Sequence, residues 1–255
     1  MSSPQISVFT PSHDPTYLDD AYKSLDSQIL EDWEWVVLLN AGAEWTSPVP
    51  DPRVRVIVSS VTERIGALKA KAVEFCRAPK LVELDHDDLL TPDALMAVDR
   101  SLDFAGFCFS DWSHIRSDGS PDPDRPWSPA HGWLYYDTLV DRTLRTVTRA
   151  QAATPRNLSR IWWSPNHLRA FTRAAYDQVG GYSDLDILDD QDLMSRLYLT
   201  TPFTHIKRCL YLQRLHAAQS QVRQDLNDRI QVETVEMGDR WLSAMTRVWE
   251  SRDSQ

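Results

Sequence analysis

Short apolar runs alternate with amphipathic stretches over the first hundred residues of the chain. The runs at residues 6–10, 35–39, 54–58 and 81–84 have the length of β-strands. The second run is apolar without interruption, as in a strand covered on both faces. Between the runs, residues 16–28 and 65–76 carry apolar side chains at helical spacing. This alternation predicts an α/β fold with a mostly parallel central sheet flanked by helices.

The second half of the chain is less regular. Residues 113–133 are rich in Pro, Asp, Ser and Trp and predict a long surface loop, and residues 137–160 are expected to be helical. A strand is predicted at 168–172 and a helix at 190–199. From residue 225 to about 250 the pattern is helical again, with an apolar stripe that contains Trp241, Leu242, Met245 and Trp249. That stripe predicts a core-packing face or a homodimer face, with contact to a lipid-linked acceptor as a third alternative.

Composition and charge argue against several classes of partner, although a local basic groove stays open as an alternative. The 255 residues carry a formal net charge of -10, which disfavours general affinity for nucleic acid phosphates or for an anionic membrane surface. The three cysteines are widely spaced and show no paired metal-binding pattern. No stretch resembles a signal peptide or a transmembrane segment, so a cytoplasmic protein is expected.

Two polar clusters follow predicted strands, at residues 10–14 and 85–88. Ligands of parallel α/β sheets bind beyond the carboxyl ends of the strands, so the two clusters are expected to be neighbours. Asp85, Asp87 and Asp88 place three carboxylates within four residues, which is costly unless a cation or hydrogen-bond donors neutralise them. Oxygen ligands suit Mg²⁺ or Mn²⁺, and such an ion can bridge a diphosphate. The alternative is a solvated acidic turn before the next helix.

The order of these motifs resembles the family 2 glycosyltransferases with the GT-A fold. The matching stretches are residues 7–13 (SVFTPSH), 35–40 (WVVLLN), 84–88 (LDHDD), 179–182 (VGGY), 188–193 (LDDQDL) and 210–216 (LYLQRLH). The resemblance implies one GT-A domain at residues 1–220, with a nucleotide-binding half (1–112) and an acceptor-binding half (113–220). Residues 221–255 would form a C-terminal helical extension.

The resemblance also implies how a nucleotide-sugar donor is held. It places donor-binding residues at Thr10, Pro11, His13, Asn40, Arg64, Lys69, Asp85 and Asp87. Asp87 and His216 would hold Mn²⁺ or Mg²⁺, and UDP is the expected nucleotide. The family commonly has an acidic residue where this chain has Asn40, an amide that can still hydrogen-bond to a base.

On the acceptor side, the resemblance implies that Asp190 is the general base of an inverting transfer. Asp189, Trp162 and Trp163 would lie beside the acceptor. The alternatives are that Asp189 and Asp190 cap a helix and that the two tryptophans belong to the core. The acceptor itself stays open, since a saccharide, a small molecule, a protein side chain or a modified DNA base would each fit.

Two other functions compete with a glycosyltransferase. A nucleotidyltransferase also uses an α/β sheet and carboxylates, but it usually has a Gly-rich basic loop after the first strand, and this chain has only 8 Gly. A catalytically degenerate binding or scaffold protein would have lost the metal carboxylates or the base. Both are present, and Asn40 is the one departure that favours a degenerate protein.

Overall fold

The computed structural model of the protein describes residues 3–60, 63–129, 132–216 and 224–253. The strands in this part of the chain are β1 (Ile6–Ser12), β2 (Trp33–Leu39), β3 (Val54–Val58), β4 (Lys80–Glu83), β5 (Leu89–Leu90), β6 (Phe107–Arg116), β7 (Tyr135–Val140), β8 (Thr143–Thr148), β9 (Arg169–Thr172) and β10 (Phe203–Leu215). The helices are α1 (Leu18–Asp26), α2 (Ile65–Glu74), α3 (Ala94–Leu102), α4 (Pro155–Arg160), α5 (Arg173–Gln178), α6 (Asp189–Thr200) and α7 (Gln224–Asp253).

The strands form one mostly parallel sheet in the order β3-β2-β1-β4-β9-β6-β10-β5. β3, β2, β1 and β4 run parallel to one another, and β6 runs parallel to β10. β9 is antiparallel to both of its neighbours, β4 and β6, and therefore joins two sets of strands that point the same way. The carboxyl ends of β1, β2, β4 and β10 consequently meet at one edge. The expectation of an α/β fold with a mostly parallel central sheet is confirmed.

The central strands are buried on both faces, which explains their continuous apolar sequence. Every residue of β2 is buried, including the carboxylate of Glu34. Ser7 donates a hydrogen bond to Glu34 Oε1 (2.7 Å), and Arg77 Nε lies 2.7 Å from its Oε2. A charged residue is tolerated in the core because hydrogen bonds and a guanidinium compensate for its lost hydration.

Residues 137–160, expected to be helical, instead form the β7–β8 hairpin followed by the short helix α4. β8 pairs with β6 and extends the sheet sideways. Asp141 and Arg142, between the two strands, have φ angles of 46° and 62°, as a two-residue type I′ turn requires. The Thr and Val residues of β8 favour a strand. This preference and the pairing with β6 together outweigh the weak helical signal.

The long helix α7 packs against α4 and α6. Gln191, in the first turn of α6, donates to the carbonyl of Leu158 at the end of α4 (2.9 Å) and to the carbonyl of Thr234 in α7 (3.5 Å). Met245 of the predicted apolar stripe is fully buried, whereas Trp249 is 40% exposed. Among the described residues, no helix is long and apolar enough to cross a membrane. The predicted domain boundary at residues 220/221 lies outside the described residues, and that division stays a prediction.

We predict that Gly238→Ala lowers the free energy of unfolding, because an added Cβ would collide with the backbone carbonyl of Ser159. Alanine favours a helix by up to about 1 kcal/mol, but overpacking against backbone costs about 1–3 kcal/mol, so we expect a net loss. Urea titration measures it. Glu236→Ala, at an exposed position of the same helix, is the control and should leave stability nearly unchanged. Equal stability of Gly238→Ala and the wild type would contradict the close packing of α7.

Candidate active site

One cleft lies at the edge where the parallel strands end. Its lining comprises Pro11, His13, Asp14, Asn40, Ile65, Leu68, Lys69, Asp85, His86, Asp87, Asp88, Gln213 and His216. The polar clusters after β1 and β4, expected to be neighbours, both contribute to this cleft. The rings of His13 and His86 meet edge to face, with centroids 4.9 Å apart. Four of the lining residues are carboxylates, so the cleft is strongly acidic.

Asp87 and His216 come from distant parts of the chain and meet in this cleft. His216 Nε2 lies 2.9 Å from Asp87 Oδ2, and both side chains retain some exposure to solvent. The ring of Tyr17 lies beside His216, with centroids 5.5 Å apart. A carboxylate and an imidazole at this separation are a suitable ligand pair for a divalent cation.

Asp88 is enclosed and only 2% exposed. Burial, followed by the charges of Asp87 and Asp85, raises the pKa of Asp88 well above its ordinary value. The backbone N–H of Arg214 donates to Asp88 Oδ1 (2.7 Å), and Arg214 Nε donates to the carbonyl of Asp87 (2.8 Å). The buried Arg214 guanidinium also lies 3.3 Å from Asp20. Arg214 therefore stabilises the conformation of residues Asp85–Asp88, which we refer to as the acidic loop.

Thr10 occupies a different environment from the one expected of a nucleotide contact. Its side chain is 0% exposed, and its hydroxyl donates to the carbonyl of Leu84 (2.8 Å) while accepting from Trp35 Nε1 (2.8 Å). The hydroxyl of Tyr211 accepts from the backbone N–H of Asp85 (3.2 Å). Thr10 and Tyr211 thus form hydrogen bonds to the backbone at the start of the acidic loop and hold it in position.

Lys69 lines the cleft, but its charge is already compensated by carboxylates. Its Nζ lies 2.6 Å from Glu83 Oε1 and 2.7 Å from Asp189 Oδ2, and Tyr182 donates to the other Glu83 oxygen (3.1 Å). Burial raises the pKa of Asp189 to about 6, with Lys69 opposing the rise and Asp190 adding to it. Lys69 and Asp189, expected on the donor and acceptor sides respectively, form one buried ion pair that ties α2 to α6.

Asp190, at the start of α6, is in close contact with the guanidinium of Arg169, which begins β9. Arg169 Nε donates to the carbonyl of Pro165 (3.1 Å), and the backbone N–H of Gln191 donates to Asp190 Oδ1 (2.7 Å). Burial alone would raise the pKa of Asp190, but the charges of Arg169 and then Lys69 lower it below its ordinary value. Asp190 is therefore ionised at neutral pH and fixed in orientation.

His167 lies between Asp85 of the acidic loop and the Arg169–Asp190 ion pair. Its Nε2 lies 3.5 Å from Asp85 Oδ2 and 3.4 Å from Arg169 Nη1, and its ring stacks on Tyr211 with centroids 4.8 Å apart. Burial, followed by the charge of Arg169, lowers its pKa, so the imidazole is neutral at neutral pH. Asp85, His167, Arg169 and Asp190 therefore form a continuous polar chain from the acidic loop to the start of α6.

A second set of possible metal ligands overlaps this chain. Ligand atoms of Glu83, Asp85 and His167 all lie within 4.8 Å of one another. The ammonium of Lys69 already compensates for the charge of Glu83, and Tyr182 occupies its second oxygen. The Asp87–His216 pair is the better candidate for a divalent cation.

Six of the expected site residues lie outside the lining of the cleft: Thr10, Asp189 and Asp190, described above, and Arg64, Trp162 and Trp163. Arg64 is exposed, donates to the carbonyl of Asp184 (3.2 Å) and lies 3.3 Å from Asp186. Trp162 packs on an apolar cluster whose other members include Leu188, Ile230 and Met237. Trp163 instead stacks on Trp133.

Sequence reasoning missed the roles of His167, Arg169 and Tyr211. His167 and Arg169 are separated by one residue at the start of the predicted strand. Side chains at this spacing lie on the same face of a strand. A charged residue within an otherwise apolar strand was the available signal, because such a residue needs a buried partner. The partner, Asp190, comes from another element and is visible only in three dimensions.

No family model matches the chain. It is 32% identical over 117 residues to an uncharacterized protein, y4gI, of Sinorhizobium fredii, which corresponds to 40% of this chain and 12% of that protein. It is 24% identical over 231 residues to a chondroitin synthase of Escherichia coli, covering 86% of this chain and 30% of the synthase. The chain thus spans less than a third of the length of either curated relative.

Several solved structures share the fold of this chain. Residues 1–349 of TarS from S. aureus give a TM-score of 0.60 at 14% identity, covering 97% of this chain and 72% of that one. The same TarS fragment in complex with UDP-GlcNAc gives 0.61 at 13% identity, covering 94% and 72%. The mannosyltransferase PcManGT of Pyrobaculum calidifontis, in complex with GDP-Man and Mn²⁺, gives 0.58 at 12% identity, covering 99% and 76%. The chain therefore has the GT-A fold.

Proposed function

We propose that this chain is an inverting glycosyltransferase that transfers a sugar from a nucleotide-sugar donor, most readily a UDP-sugar, to an acceptor hydroxyl. The observation that carries the proposal is that the acidic loop, His216 and Asp190 lie close together in a GT-A fold. The acidic loop Asp85–Asp88 and His216 line one cleft, and the polar chain through His167 and Arg169 connects that loop to Asp190.

The acidity of the cleft supports a metal-dependent donor site. A diphosphate would be repelled by the carboxylates of Asp14, Asp85 and Asp87 unless a cation lay between them. Asp87 and His216 would hold Mn²⁺ or Mg²⁺, and a bound metal would neutralise charge that develops on the leaving diphosphate. PcManGT, which shares the fold, is in complex with both GDP-Man and Mn²⁺, and this supports a metal-dependent donor site here.

The nucleoside would occupy the part of the cleft formed after β1 and β2. Pro11, His13 and Asn40 line it, and the amide of Asn40 offers both a donor and an acceptor to a base. The UDP-GlcNAc bound to TarS supports a uridine nucleotide. Lys69 would act indirectly, because its ammonium already pairs with Glu83 and Asp189 and holds the cleft wall in place.

Asp190 would accept the proton of the acceptor hydroxyl as that oxygen attacks the anomeric carbon from the side opposite the diphosphate. Arg169 would keep Asp190 ionised and aimed, because it contacts one carboxylate oxygen while the backbone of Gln191 holds the other. Attack from the opposite side inverts the configuration at the anomeric carbon.

We expect UDP to raise the melting temperature of the wild-type protein only in the presence of Mn²⁺ or Mg²⁺, since a ligand of the folded state stabilises it. Asp87→Ala should abolish this metal-dependent shift. A thermal-shift titration of several nucleoside diphosphates, with and without metal, measures both effects. Asp228→Ala, at an exposed position of α7, is the control. No shift with any nucleotide would favour a degenerate binding protein, and a normal shift in Asp87→Ala would reject the metal assignment.

Asp190→Asn should leave the UDP-dependent thermal shift intact but lower turnover roughly 10²-fold or more, because an amide cannot accept the proton. Hydrolysis of the donor, with water as the acceptor, is the assay that needs no knowledge of the natural acceptor. Asp177→Asn, at an exposed position of α5, serves as the matched variant and should retain full turnover. Near-normal turnover of Asp190→Asn would mean that another group is the base.

Arg169→Met should move the acid limb of the pH–rate profile of donor hydrolysis to higher pH. The base works only when ionised, so the rate falls as the pH drops through its pKa. Arg169 lowers that pKa, and without the guanidinium the burial of Asp190 raises it. Arg169→Lys should restore most of the wild-type profile. An unshifted acid limb in Arg169→Met would show that Arg169 does not set the ionisation of the base.

A further inference from the structure

Three tryptophans in the second half of the chain stack face to face. The ring centroids of Trp127 and Trp133 are 4.2 Å apart with an interplanar angle of 18°, and those of Trp133 and Trp163 are 4.0 Å apart at 22°. Trp133, in the middle, is 7% exposed, whereas the two outer rings are half-buried. We refer to these three residues as the tryptophan stack.

The stack approaches the candidate active site at its Trp127 end. Trp127 contacts the ring of His114, with centroids 5.2 Å apart, and His114 is the cross-strand neighbour of Gln213, which lines the cleft. Trp163 lies four residues before His167, whose imidazole is 3.5 Å from Asp85. The stack therefore stands beside the cleft and is built from the half of the chain that follows the nucleotide-binding strands.

The neighbouring strands hold the stack rigidly. The hydroxyl of Tyr135, the first residue of β7, accepts from the backbone N–H of Trp127 (3.2 Å) and donates to its carbonyl (3.3 Å). Trp133 meets Trp112 of β6 edge to face, with centroids 6.0 Å apart. A ligand that binds to rings already held in place loses little affinity to the ordering of side chains.

The indole N–H groups of the stack differ from those of other tryptophans in the chain. Trp35 Nε1 donates to Thr10 and Trp45 Nε1 donates to Asp19, whereas those of Trp33 and Trp112 are sealed inside the protein. Across the ranges that the structure describes, the three N–H groups of the stack have no hydrogen-bond acceptor and are not sealed from solvent. The stack thus combines apolar rings with hydrogen-bond donors that a ligand can use.

We propose that the tryptophan stack binds a saccharide acceptor, an inference that rests on the proposed glycosyltransferase function. The apolar C–H faces of a pyranose pack on aromatic surfaces, and its hydroxyl oxygens accept hydrogen bonds from indole N–H groups. His114 beside the stack is neutral, because burial lowers its pKa to about 4. An aromatic, donor-bearing surface suits the C–H faces and the hydroxyl oxygens of a sugar.

In the transfer, a hydroxyl oxygen of the bound saccharide forms a bond to the anomeric carbon of the donor. The bond from that carbon to the diphosphate oxygen breaks, and the diphosphate leaves with the bonding electrons. The hydroxyl proton passes to Asp190. A nucleobase would also stack on indole rings, but the net charge of -10 disfavours a nucleic acid acceptor.

The test measures saccharide binding to the full chain in the presence of UDP and Mn²⁺. Lactose, maltose, cellobiose and diacetylchitobiose are the probes, with a short single-stranded oligonucleotide as the competing class, and titration calorimetry and tryptophan fluorescence are the readouts. We expect at least one disaccharide to bind and to change the fluorescence. Trp127→Ala should weaken that binding roughly tenfold or more. Trp249→Ala, at an exposed ring of α7, should leave it unchanged.

Trp127→Phe and Trp163→Phe are second variants in case Trp127→Ala fails to fold. Each keeps an aromatic ring, which preserves packing, but loses the indole N–H. Both should weaken disaccharide binding while retaining the UDP-dependent thermal shift. Binding of UDP with no response to any disaccharide, or equal disaccharide affinity in all variants, would overturn the saccharide site and leave the donor assignment standing. Binding of the oligonucleotide alone would also overturn it. Failure of UDP binding would instead reject the proposed function itself.

Discussion

The repulsion between carboxylates crowded at one edge of the sheet is the constraint on which the site depends. Asp85, Asp87 and Asp88 follow β4, Glu83 ends that strand, and Asp189 and Asp190 begin α6 close by. Such a group would push the elements apart or take up protons unless positive charge were placed among its members. The chain meets this constraint with buried cations and also with protonation, since the pKa of Asp88 is raised well above its ordinary value.

Each cation also connects elements that are distant in the sequence. Lys69 joins α2 to the end of β4 and to the start of α6, and Arg169 joins β9 to Asp190. Arg214 joins β10 to the acidic loop and to α1. Removing one partner of a buried ion pair leaves an uncompensated charge, which costs several kcal/mol, so the geometry of the site and the stability of the fold are linked. Asp85 and Asp87, whose side chains keep 39% and 15% of their surface exposed, are the carboxylates left open to the cleft for a ligand.

From the sequence we predicted the sheet, a ligand site at the carboxyl ends of its strands, and most of the residues that line the cleft there. Apolar runs and strand-end polar clusters are local signals, and they sufficed for the regions of Asp85–Asp88, His13 and Asn40. Partner choice is not local. Nothing near Lys69 in the sequence shows that its ammonium lies between Glu83 and Asp189, and nothing near Thr10 shows that its hydroxyl is consumed by Leu84 and Trp35. The β7–β8 hairpin was missed although its own residues favour strands, and its pairing with β6 involves residues that are distant in the sequence.

The contact between α7 and the start of α6 has a practical consequence for protein production. Gln191 directly follows Asp190, and its side-chain amide reaches the carbonyl groups of both Leu158 and Thr234. A truncated fragment ending near residue 220 would lose one of these anchors and would expose the apolar faces of α4 and α6 that α7 covers. Expression boundaries chosen from the nucleotide-binding motifs alone would therefore yield a fragment prone to aggregation, with a loosened turn next to Asp190.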